Sequence, residues 1–404
     1  PSTGLADLYR VTMHHSSGIN ILPACTLKRL EQTGNGTTEL TGALIVGSST
    51  RSAGAAAIDD LKVSAGKLDV GSSGDSITCT NDILINGGHL DADASSSDGN
   101  ITAQSITLSG GTFDAPSHGT VTTTAQNVGG WCFYQSGGTF NANAGTLKVD
   151  FGAAGAGHFN FHQPHNLTIE MYNDTSSTVY RDYTGNTVTI TGDLTIVEGF
   201  FKGDNSTDTL TVEGNVSIQD GGTLNQLSDT RAVNLGSITI SDGGTYNATS
   251  GLTTITSRTS GGYSWYAPNA GSIFNHNNGT VKVTLEDWGG ADETYWHGTG
   301  WYNLEMALNS ASRELRFDDV SGGGLTVYNN FTLSEGRFRF NAGGDSVTVY
   351  GLTKMSGGQY GNTGTAPSGT HNYLGGITMI GGAWQTTSGT LNTSGLIIRG
   401  GTFA

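Results

Sequence analysis

A short phrase recurs along this chain and constrains its fold more than any other feature. It reads GGHLDA at 87–92, GGTFDA at 110–115, GGTFNA at 137–142, GGTLNQ at 221–226 and GGTYNA at 243–248, and the sequence closes on GGTFA at 400–404. Aligned on the apolar residue after the corner, the series runs Leu68, Leu90, Phe113, Phe140, then Phe201, Leu224, Tyr246, Ile273, then Phe338, Tyr360, Trp384, Phe403. Steps are 22, 23 and 27 residues in the first set and 23, 22 and 27 in the second. A longer period lies over the short one: 68 to 201 is 133 residues, 113 to 246 is 133, and 201 to 338 is 137.

The text between corners repeats as well. Apolar–x–apolar triplets precede the glycines, as in LKV 61–63, ILI 83–85, ITL 106–108, LTI 194–196, VSI 216–218, ITI 238–240, FTL 331–333 and ITM 377–379. GGWCFYQSGGTF (129–140) has its partner in GGYSWYAPNAGSIF (261–274), NAGTLKVDF (143–151) in NNGTVKVTL (277–285), and HNLTIEM (165–171) in YNLEMAL (302–308). Self-similarity at this spacing means that each unit is one supersecondary element that cannot bury its apolar side alone. Alternating apolar positions specify strands with one face inward, and glycine pairs supply corners where a Cβ would clash. The expectation is an all-β, right-handed parallel β-solenoid (β-helix) with rungs of about 22–27 residues inside a super-repeat of about 133–138. The alternative is a tandem of β-sandwich domains, one per long period.

The organisation that follows has four parts. Residues 1–40 lack the corner and read as an N-terminal cap or attachment segment; 41–143 form a first solenoid block. Residues 144–277 form a second block with an aromatic excursion, and 278–404 a third that reads as truncated, because GLIIRGGTFA (395–404) is a rung cut off after its corner. A short helix is expected only near LADLYRV, 5–11.

Composition excludes several classes. Eighteen basic against 34 acidic residues give a formal charge of −16, so a nucleic-acid partner is not expected, since phosphate binding needs basic stripes. No run of 18 apolar residues is present, so no membrane insertion is expected, and the first residues show no signal-peptide pattern. Cys25, Cys79 and Cys132 lie far apart and read as free thiols.

Candidate chemistry is sparse. Glu286 and Asp287, with Asp292 and Glu293, stand beside Trp288, Trp296 and Trp301, the pattern of carboxylates and ring faces that a sugar-processing or sugar-binding surface uses. The partner stretch 151–165 keeps aromatics and lacks the acidic pair, so catalysis is not expected. Trp288, Tyr295, Trp296, Trp301 and Tyr302 remain as candidate glycan contacts, against the blander reading of rung-to-rung ring stacking. Asp91, Asp93 and Asp98 read as loop solvation rather than a calcium site. His158, His162 and His165 sit among strand and glycine residues, so the i, i+4 spacing does not make a metal pair. Thr-rich TVTTT (120–124) and TTITS (253–257) are too irregular for an ice-binding ladder. No catalytic residue, cofactor or metal is expected, and the chain reads as a non-enzyme.

In GGTFNANAGTLKVDF, GSIFNHNNGTVKVTL and WYNLEM the chain resembles the Gly/Thr/Asn-rich repeat proteins of bacteriophage virions, of tail-fibre and appendage type. A similar style occurs in bacterial β-helical adhesins. The resemblance covers roughly residues 60–404 and implies a location on the virion and assembly without cofactors. It further implies partners among other copies of the chain (a homotrimer or other oligomer), other virion proteins and a host surface glycan. The function expected from it is that of a β-solenoid shaft supporting host attachment; the alternative is a bacterial cell-surface adhesin that binds glycans through aromatic loops.

Overall fold

The computed structural model describes residues 10–47, 59–70, 75–93, 99–152, 155–171, 177–181, 188–203, 209–227, 230–285, 293–298, 300–318, 324–340, 345–361 and 368–404. Those residues are strands and turns with no helix, and the strands pair in parallel as a β-solenoid of about 14 turns with rungs of about 23 residues. The chain divides into two compact units, Pro1–Asp204 and Asn205–Ala404, a division distinct from the three blocks suggested by the long period.

In the first unit three inward columns make the core. Leu68, Leu90, Phe113 and Phe140 are paired rung to rung at the glycine corner. Leu30, Leu61, Ile83, Ile106, Phe133 and Phe159 form a second column. Ile77, Ile101, Val121, Leu147, Leu167 and Leu194 form the third. Apart from Phe140, all are buried. The cause is the period of two: alternate side chains of each short strand face inward, and the parallel register puts like on like. Over its described residues, the segment expected as a cap or attachment pairs with the rungs that follow it. Val11–Met13 pairs with Leu30–Gln32, which pairs with Leu61–Val63, and Ile19–Leu27 pairs with Thr37–Val46. Val11, in the stretch expected as a short helix, opens a strand.

The second unit carries the same plan. Val212, Leu235, Ile255, Val283, Met306, Leu333, Met355, Met379 and Ile398 stand in one column over nine strands. A separate four-stranded sheet joins Leu325–Val327, Val347–Val349, His371–Tyr373 and Leu391–Thr393. Two details differ from the sequence alignment. FTL 331–333 and ITM 377–379 belong to the nine-strand column and not to the column of ITI 238–240, which instead pairs with Trp265 and Tyr266. At the corner, Tyr246 is paired with Phe274, not Ile273. A one-residue slip sends a side chain to the other face, and Ile273 is accordingly 46% exposed.

The corner glycines show why the phrase repeats. Gly111 has φ +75°, and a Cβ there would lie 2.0 Å from the Gly88 carbonyl oxygen of the rung beside it. Gly138 has φ +73° and faces Gly111 in the same way, its Cβ position 2.7 Å from that carbonyl oxygen. Left-handed backbone and close stacking both demand the missing side chain.

Candidate functional site

The aromatic insertions of the super-repeat become layered stacks, one in each unit. In the second unit Trp265 lies on Trp296 with centroids 5.2 Å apart at 22°, and Trp301 packs 5.3 Å from Trp296. Phe274 meets Trp265 edge-on at 4.7 Å. Register accounts for the layer, because Trp265, Trp296 and Phe317 are consecutive inward residues of paired strands. This corrects two of the candidate glycan contacts. Trp296 and Trp301 are buried, Trp301 at 0% exposure, and supply core rather than surface.

Tyr295 and Tyr302 do face outward, half-buried. Tyr295 stands between Tyr263, 5.5 Å away, and the Arg316 guanidinium, 5.9 Å from its ring centroid. Burial, with the Asp318 charge nearby, pushes the Tyr263 phenol upward. Tyr302 lies on a different side of the rung against His276, centroids 5.5 Å apart at 29°. The structure therefore separates the two rather than bringing them into one patch. Trp288, with Glu286, Asp287 and Asp292, lies outside the described residues, as does the Glu293 side chain.

The first unit holds the counterpart of the Tyr263–Tyr295–Arg316 column. Trp131 packs 5.2 Å from His158, His158 stacks on Tyr180 at 5.2 Å and 20°, and Lys202 Nζ sits 4.5 Å over Tyr180. Both outer columns thus end with a cation over a ring, a contact of about 0.5–1 kcal/mol at exposed sites.

The polar candidates are engaged with one another. His89, Asp91 and Asp114 converge within 4.8 Å, the one such group of metal-ligand types among the described residues. His89 Nε2 lies 2.8 Å from Asp114 Oδ2, and Lys67 Nζ is 2.5 Å from Asp91 Oδ2 and 2.9 Å from Asp69 Oδ2. Asp93 accepts from Ser117 Oγ at 2.5 Å, and Asp98 lies outside the described residues. These are rung-to-rung ladders of opposite charge and hydrogen bond, which is what outward positions in parallel register produce. His158 and His165 do not meet: the first is in the ring stack, while His165 Nδ1 is 3.1 Å from Thr191 Oγ1. Cys25, Cys79 and Cys132 are free thiols; burial pushes Cys132 up to about 12 and Cys79 well above its ordinary value.

Three outward rings were not singled out in the sequence: His276, Tyr328 and Tyr350. Tyr328 and Tyr350 stack at 6.1 Å and 9°, and His276 lies 5.3 Å from Tyr328. A signal for the two tyrosines exists. WYN 301–303, VYN 327–329 and VYG 349–351 each place a tyrosine directly after an inward residue, and those inward residues, Trp301, Val327 and Val349, are paired in sequence.

The fold places the chain in the class of parallel β-solenoid repeat proteins. Compared with known protein families, curated proteins and solved structures, the chain matches none of them.

Proposed function

We propose that this chain is a structural protein whose β-solenoid units form the shaft of a bacteriophage virion appendage of tail-fibre type. The observation that carries the reading is the long parallel register of inward residues, such as Val212 to Ile398 over nine strands. Each added rung contributes a strand's worth of backbone hydrogen bonds and one more layer of core, so a stack gains stiffness and protease resistance by repetition. Short strands with glycine corners also leave outward positions free to vary, which suits a support that displays surface features. Immunogold labelling of native phage particles with antibody to this chain tests the proposal. Label on a tail or head appendage is expected. Label on a bacterial envelope, with secretion genes rather than portal and tail genes beside its gene, overturns it in favour of a cell-surface adhesin.

A further inference from the structure

A groove of about 300 Å³ opens in the second unit between Phe274, Asn275, His276 and Asn277 on one side and Gly300 and Tyr328 on the other. Its rings come from three rungs. His276 rests on Tyr302 and lies 5.3 Å from Tyr328, which is 51% exposed and stacks in turn on Tyr350. Gly300 borders the groove at φ +88°, a left-handed conformation that favours glycine, and a Cβ there would meet Tyr328 Cε2 in ordinary contact at 3.4 Å.

The polar groups are oriented by the fold. The Asn278 backbone N–H donates to His276 Nδ1 at 3.1 Å, so the neutral ring carries its proton on Nε2 as a donor. Burial lowers the His276 pKa, which keeps the ring uncharged. Asn275 Nδ2 donates to Asn247 Oδ1 at 2.6 Å and Asn277 Nδ2 donates to the Leu227 carbonyl at 3.0 Å. Each amide is thereby fixed with its Oδ1 as an acceptor. Among the described residues, no lining side chain carries a formal charge.

The super-repeat supplies an internal control. Asn166 pairs with Thr146 and Leu167 with Leu194 in the first unit, as Asn303 pairs with Thr280 and Leu304 with Phe331 in the second. That register equates His276, Gly300, Tyr302 and Tyr328 with Ala142, Gln163, His165 and Thr191. Backbone conformation agrees, with φ 47° at Asn143 and 46° at Asn277, and 49° at Gln163 against 88° at Gly300. In the first unit the corner is closed by the His165–Thr191 contact. The scaffold is therefore built without these rings, and the second unit adds them.

We propose that this groove is a binding site for a neutral oligosaccharide. Ring faces take the C–H faces of a pyranose, while one N–H donor and two amide carbonyls match its hydroxyls; the uncharged side chains of the described lining offer an acidic sugar no cationic partner. The site stands apart from the shaft reading, since a groove of this kind would serve an adhesin equally well. The test is calorimetric titration of the full chain with a panel of neutral hexasaccharides (β-1,4-glucan, α-1,4-glucan, β-1,4-linked N-acetylglucosamine and α-mannan), with an oligogalacturonate as the anionic comparison. Binding of at least one neutral member is expected, weakened about tenfold in Tyr328→Ala and in His276→Ala and held within about threefold in Tyr328→Phe. Circular dichroism confirms that each variant is folded, and the two alanine variants act independently should one fail to fold. No binding across the neutral panel, preference for the oligogalacturonate, or binding that both alanine variants leave unchanged overturns the proposal.

Discussion

The two copies of the long repeat share a backbone and part company in their side chains. Their inward layers differ in kind: Phe133 and Phe159 in the first unit stand where Trp265 and Trp296 stand in the second. At the corner, Phe113 pairs with Phe140, whereas Tyr246 pairs with Phe274. Outward, Ala142 and Thr191 face His276 and Tyr328 across the comparison. Inward differences are coupled, because a column residue touches the rungs before and after it and must conserve volume with them. Outward differences are nearly free, so an outward cluster present in one copy alone is informative about use.

The largest effect should come from the inner layer. Trp265→Ala removes a ring that touches Phe274, Trp296 and Trp301, and Phe133→Ala one that touches Phe159 at 5.5 Å and Phe161 at 5.2 Å. Each should cost about 3–5 kcal/mol, with the tryptophan at the upper end. Hydrogen exchange on the strands Trp131–Gln135 and Tyr263–Tyr266 reads the two separately. A loss under about 1 kcal/mol at either site would show that its column is not a packed core.

Acid should next distinguish the units by opposite signs. His371 is buried in the second unit among Phe340, Tyr360 and Tyr373, its Nδ1 3.3 Å from the Tyr360 hydroxyl, and burial lowers it from 6.5 to about 4. The folded state then binds fewer protons than the unfolded one between those values, so stability is full above pH 6.5 and declines as pH falls toward 4, by up to about 3 kcal/mol. In the first unit burial raises Asp60, the Asp82 charge raises it further, and hydrogen bonds from Asn81 oppose both. Its protonated form is favoured in the fold, so that contribution is full below the ordinary value of 3.8 and is lost as pH rises through the raised one. Exchange rates corrected for intrinsic pH dependence should show the His371–Tyr373 strand weakening from pH 7 to 4.5. No such weakening, or its persistence in His371→Phe, removes His371 as the cause.

How much of this was legible in the sequence follows the same division. Columns Leu68 to Phe140 and Tyr360 to Phe403 were readable because glycine corners and period-two strands are local signals, and they stand as aligned. Ile273 was misplaced because the second unit's insertion, APNAGSIF, has a serine where the corner elsewhere has a second glycine, and local pattern cannot settle a one-residue register. For Trp296 and Trp301 the sequence leaves glycan contact and rung-to-rung stacking both open, because tryptophans beside carboxylates look alike whether a strand turns them in or out; pairing with Trp265 and Val327 decides for stacking. The groove was invisible for a related reason. Phe274, Gly300 and Tyr328 are separated by 26 and 28 residues, and only the stacking of rungs makes them neighbours.

A smaller effect sharpens the corner comparison. Tyr246 is buried with its hydroxyl 3.0 Å from Thr253 Oγ1, both in the core, whereas register places Phe113 and Val121 at the matching positions of the first unit. Tyr246→Phe should therefore cost about 1–2 kcal/mol, because the Thr253 hydroxyl is left buried without that partner. Adding Thr253→Val, which reproduces the first unit's pair, should recover most of the loss. Urea midpoints of the two single variants and the double variant measure this, and a double variant no better than Tyr246→Phe would mean that the copies are not interchangeable at their cores.

Least should happen when the outer corner is converted. Tyr328→Thr gives the second unit the residue that the first has at Thr191, and Tyr328 is already about half exposed. The stack with Tyr350 is nearly parallel at 6.1 Å, so part of a ring–ring contact is lost and little core is opened. A change within about 0.5 kcal/mol is expected, with the urea slope unaltered. A cost above about 1.5 kcal/mol would mean that the rings of His276, Tyr328 and Tyr350 brace the stack as the buried tryptophans do. Near-neutrality in stability together with lost saccharide binding would separate the two kinds of aromatic in this molecule: those the register requires, and those it merely displays.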